Sequence, residues 1–127
     1  HVVPTVDVLI PVPPRAISQV QSRVPDLVVS RREPGERFEV GDPPELVIEI
    51  LSTRRGNVER TEKMDDYARA GIGEYWIVNP FDRAVEVYLL RDGDYALERT
   101  VSEGTLAPRA FPGVAIHLEE IWAAVTS

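Results

Sequence analysis

The chain contains no cysteine, one methionine and only two histidines. Without cysteine there is no disulfide framework and no thiolate metal site, and the absence fits a reducing compartment, so a cytoplasmic protein is expected. No apolar run approaches the roughly 18 residues that a membrane helix needs, and no segment reads as a secretory signal. There is no Gly-rich phosphate loop, no Ser-His-Asp set and no His pair at zinc spacing. Positive charge is also in short supply. Fourteen Lys and Arg stand against 21 Asp and Glu, for a net charge of −7. A phosphate backbone is repelled overall by such a chain, unless a local basic patch or bound divalent cations reverse the field near a site.

What is present fits one globular domain with one core over residues 1–127, 43% hydrophobic and 28% charged. The first residue is His rather than Met, which reads as a trimmed or partial chain. Val6–Val12 reads as a strand that Pro13-Pro14 would end. Residues 24–30 read as a short buried strand, and residues 31–44, with three prolines and two glycines, as a loop. Residues 45–52 give the clearest strand, with Leu46, Ile48 and Ile50 on one face and Glu45, Val47, Glu49 and Leu51 on the other. A helix follows over 58–70, stopped by Gly71. Strands are expected at 74–79, 84–90, 95–101 and 114–118, with Asp92-Gly93 as a hairpin turn, and a short amphipathic helix at 118–125. Strand 45–52, helix 58–70 and strand 74–79 form a βαβ unit, which implies a mixed α/β sheet with a crossover helix.

Three charged residues stand out in this order. Asp26 and Glu49 sit among Val, Ile and Leu, where an ionised carboxylate is costly unless something compensates it. If the two strands are neighbours, both carboxylates point to one side at about 4–5 Å Cβ spacing, and a divalent cation would relieve their repulsion. Mg²⁺ suits hard oxygen ligands of this kind. Lys63, on the helix, can return its amine to the same end of the sheet, and Tyr67, four residues on, shares its face. Simpler readings exist for each residue. A strand carboxylate often just faces water, Glu59 is placed to pair with Lys63 on the helix surface, and Tyr67 can be plain core. Arg31, Arg32, Arg54 and Arg55 follow the two acidic strands and are candidate nucleic-acid contacts, although solvated loop arginines are common.

The stretches Val24-Pro25-Asp26-Leu27-Val28-Val29, Pro44-Glu45-Leu46-Val47-Ile48-Glu49-Ile50-Leu51-Ser52, Lys63, Tyr67-Ala68-Arg69-Ala70-Gly71 and Glu74-Tyr75-Trp76-Ile77-Val78-Asn79-Pro80 resemble the Uma2 family, also called DUF820. That family looks like part of the PD-(D/E)XK restriction-endonuclease-like superfamily. The resemblance runs from about residue 24 to the end. It implies a Mg²⁺-dependent endonuclease, with Mn²⁺ as a possible substitute, acting on DNA to leave 5′-phosphate and 3′-hydroxyl ends. It makes Asp26 and Glu49 metal ligands together with the Ile50 backbone carbonyl. The superfamily lysine would stand at Leu51, and Lys63 is the matching position in this family. Glu45 and Tyr67 are possible accessories, and a homodimer is implied, with strands 84–90 and 95–101 as exposed edges. Two departures accompany the match. Asn79 stands where relatives often have Asp, and residues 1–23 hold no match for the helical segment with an extra acid that family members usually carry. The second reading is therefore a nuclease-fold module that binds nucleic acid or protein without cutting.

Overall fold

Leu-Val-Ile-Glu-Ile (46–50) and Glu-Tyr-Trp-Ile-Val-Asn (74–79) are buried over nearly their whole length and pair in parallel. Parallel neighbours need a crossover, and strands covered on both faces read as continuous apolar runs. A computed structural model describes residues 2–3, 7–10, 21–23, 25–31, 37–39, 41–53 and 57–126. Its elements in chain order are β1 Val2–Val3, β2 Asp7–Ile10, β3 Gln21–Arg23, β4 Leu27–Val29, β5 Arg37–Phe38, β6 Leu46–Ile50, α1 Asn57–Ala70, β7 Glu74–Asn79, β8 Ala84–Arg91, β9 Asp94–Val101, β10 Thr105–Leu106, β11 Ile116–His117 and α2 Leu118–Thr126. None of the described helices is long and apolar enough to cross a membrane.

The main sheet has six strands in the order β1-β4-β6-β7-β8-β9, with β6 and β7 parallel and the other neighbours antiparallel. The expected mixed sheet with a crossover helix is therefore present. Strand alternation divides the core in two. On one face Val28, Val47, Tyr75 and Ile77 pack with Tyr67, Ala70 and Ile72. On the other, Leu46, Ile48, Trp76, Val78, Val85 and Val87 pack with Leu118 and Trp122. Two glycines earn their places through positive φ. Gly71 (φ 81°) ends α1 in a Schellman motif, in which Gly71 N donates to Ala68 O at 3.0 Å and Ile72 N to Tyr67 O at 3.2 Å. Asp92 (φ 52°) and Gly93 (φ 86°) form the two-residue hairpin loop between β8 and β9, whose twist suits the flanking strands.

Several sequence expectations change. Asp26 lies just before β4, which covers only Leu27–Val29 of the expected strand 24–30. The expected loop 31–44 contains β5, paired in parallel with β2. The strand expected at 114–118 shrinks to Ile116–His117, and its partner β10 is new. Strand 84–90 is no edge, because β8 runs between β7 and β9.

A buried carboxylate fastens the far end of the sheet. Glu74, 2% exposed, accepts from the Trp76 indole N–H at 2.8 Å and from the backbone N–H groups of Arg109 (3.1 Å) and Ala110 (3.0 Å). All three partners are N–H donors, so the position calls for an acceptor-only side chain. Glu74→Gln should turn an amide N–H₂ toward donors and lower stability by about 1–3 kcal/mol. The fall should be measurable as a lower urea midpoint with an unchanged slope.

Candidate active site

β4 and β6 run antiparallel with Leu27 opposite Ile48 and Val28 opposite Val47. Extending that register by one residue sets Asp26 across from Glu49, both on the face that α1 covers. Asp26 is exposed, and its Oδ2 accepts the Ile50 backbone N–H at 2.7 Å. This bond ties the end of β4 to the end of β6. Oδ1 of Asp26 has no hydrogen-bond partner among the described residues.

Glu49 is only 4% exposed. Burial pushes its carboxyl above the usual range, since the charged form loses water. The Tyr67 and Lys63 hydrogen bonds and the Lys63 charge oppose the rise, and the Asp26 charge adds to it. Each oxygen of Glu49 has its own donor. The Tyr67 hydroxyl donates to Oε1 at 2.7 Å, and the Lys63 ammonium donates to Oε2 at 3.0 Å. Helical spacing delivers both from α1, because residues four apart sit one above the other on one helix face. The two donors differ in exposure. Tyr67 is fully buried, while the Lys63 side chain is 22% exposed.

The structure thus brings Asp26, Glu49, Lys63 and Tyr67 together with the backbone of Ile50. It keeps others apart. Glu45 shares the face of Glu49 but lies four residues away, roughly 13 Å along a strand. There it accepts the Arg31 backbone N–H at 3.2 Å. Arg31 is at that same far end, where its guanidinium donates to Ala110 O at 2.6 Å and lies 5.4 Å from the Phe111 ring centre. Arg31 and Glu45 line a cleft there with Glu74 and Arg109. Arg32, Arg54 and Arg55, and the side chain of Glu59, lie outside the described residues. Asn79 stays out of the site, its Oδ1 accepting the N–H groups of Phe81 and Asp82 in the turn after β7. The residue that sequence reasoning overlooked is Glu74. Its signal was there, since a Glu two positions before a Trp shares its strand face and can receive the indole N–H.

A crystal structure of a "putative nuclease belonging to DUF820" from Anabaena variabilis ATCC 29413 superposes with a TM-score of 0.69 at 17% identity, over 97% of this chain and 68% of that one. At that identity the likeness speaks for the fold. No curated protein matches the chain. The sequence profile of the Uma2 family, described as "Putative restriction endonuclease", matches residues 5–119, reaching upstream of the residue 24 from which the resemblance was read. The profile covers well over half of the sequence, and the chain belongs to the Uma2 family.

Proposed function

We propose that the protein is a divalent-metal-dependent endonuclease that hydrolyses phosphodiester bonds in DNA. The observation that carries this reading is the convergence at one end of β4 and β6: Glu49 held by Lys63 and Tyr67, with Asp26 anchored one residue away on the Ile50 N–H. Asp26, Glu49 and the Ile50 carbonyl offer hard oxygen donors only. Among the described residues no group of three acidic, His or Cys side chains forms, so the described part of the chain would supply two carboxylates. That number suits Mg²⁺, or Mn²⁺ in its place, which ordinarily keeps waters and phosphate oxygens beside one or two carboxylates.

When bound there, such a cation would neutralise charge on the phosphoryl oxygens and lower the pKa of a coordinated water. The residues of the chain do the rest. Asp26 and Glu49 concentrate negative charge at one end of β4 and β6. Lys63 keeps a positive charge beside Glu49, and its ammonium carries N–H donors of the kind that orient an attacking water or stabilise charge on the phosphoryl group. The expected products carry 5′-phosphate and 3′-hydroxyl ends. Cutting both strands of a duplex calls for two sites, and β9, one of the two outer strands of the described sheet, is an edge through which two copies would pair.

A plasmid-nicking assay with Mg²⁺ or Mn²⁺ tests the reading. Asp26→Asn keeps an acceptor for the Ile50 N–H but removes the charge, so nicking should vanish while the fold persists by circular dichroism. Lys63→Met should lower the nicking rate by about 10²–10³-fold, as removal of one charge-stabilising donor does elsewhere. EDTA should stop the wild type. Equal nicking by all three proteins would mark a contaminating nuclease and sink the assignment, and intact plasmid with the wild type would favour a binding module. In sedimentation velocity at micromolar concentration the protein should run at the mass of a dimer.

A further inference from the structure

Tyr67 is tied down at both ends. Its hydroxyl donates to Glu49 Oε1 at 2.7 Å, and its carbonyl accepts the Ile72 N–H in the helix cap at 3.2 Å. Between them the ring packs edge-on against Tyr75, with centres 5.4 Å apart and planes at 80°. Tyr75 packs in turn against Tyr95 at 5.5 Å, and the Tyr95 hydroxyl donates to Ile72 O at 2.6 Å. The chain of contacts returns to Ile72, whose N–H closes the helix cap on the Tyr67 carbonyl. Packing alone does not require a carboxylate partner for this hydroxyl, because a tyrosine can be satisfied by a nearby backbone carbonyl, as the half-buried Tyr95 is.

The two donors on Glu49 are therefore unlike. The buried phenol fixes one oxygen, and the partly exposed, long-stemmed ammonium sits on the other, nearer to solvent. A carboxylate that binds a cation works best when its plane is set in advance by hydrogen bonds from outside the coordination shell. We infer that Tyr67 is the positioning residue of this site: its hydroxyl holds Oε1 of Glu49 and so presents Oε2, the oxygen Lys63 occupies, to a divalent cation. The inference rests on the metal-dependent reading above and gives Tyr67 a task in that reading separate from packing.

The test is Mn²⁺ binding by calorimetry on wild type, Tyr67→Phe and Tyr95→Phe. Tyr67→Phe should weaken Mn²⁺ binding by about 10–100-fold, and excess Mn²⁺ should restore its nicking rate. Tyr95→Phe removes a hydroxyl from the same aromatic stack, so it should lower the melting temperature while leaving Mn²⁺ affinity at the wild-type value. Wild-type affinity in Tyr67→Phe would overturn the inference, as would equal weakening in Tyr95→Phe. If Tyr67→Phe does not fold, the wild type decides. With ¹³C at the phenol carbon of its four tyrosines, Mg²⁺ should shift the Tyr67 signal with the midpoint of the binding isotherm, and a stationary Tyr67 signal at saturation would refute the role. A wild type that binds no Mn²⁺ would instead remove the metal-dependent reading itself.

Discussion

A carboxylate has been closed into the sheet at Glu49, in a strand position otherwise suited to an aliphatic side chain, and much of the local architecture answers to it. Losing water raises the free energy of the charged form, and only donors brought from another element can offset that. α1 brings two of them four residues apart on one face. The crossover that lets β6 and β7 run parallel is thus the element that makes Glu49 tolerable. Fold and site share one helix, so the helix cannot be re-registered for one without disturbing the other.

The sheet holds a second buried carboxylate, and the contrast separates structure from chemistry. Glu74 is met by two backbone N–H groups and an indole, all rigidly placed. That arrangement suits a permanent clamp on the segment around Ala110. Among the described residues Glu49 is met by two side chains, one of which is a cation near solvent. A side-chain partner on a long stem can exchange for another cation, and a backbone N–H cannot. Both carboxylates are buried to a similar degree. What differs between the two is the type of donor and not the depth.

Much of this was legible in the residues because it depends on local periodicity. The i, i+4 spacing put Lys63 and Tyr67 on one helix face, Gly71 announced the cap, and Asp92-Gly93 announced the hairpin. The alternation in 45–52 set Glu49 on the face opposite Ile48. What escaped depends on contacts distant in sequence. Nothing near Glu45 says that it will meet the Arg31 backbone at the far end of the sheet. Nothing near Glu74 says that residues 109–110 will fold back over it. The edge expected at strand 84–90 is covered, because β9 pairs with its outer side. The two-residue strands β5, β10 and β11 carry too little pattern for a period of two to show.

The cap at Gly71 has a mechanical consequence. It fastens α1 at its C-terminal end, through the carbonyls of Tyr67 and Ala68. An α-helix rises about 1.5 Å per residue, so Tyr67 stands about 6 Å from Gly71 and Lys63 about 12 Å. Of the two donors on Glu49, Tyr67 therefore branches from the helix about half as far from the cap as Lys63 does. Tyr67 is itself part of the turn that the cap closes, through its carbonyl, whereas Lys63 stands one turn further from it.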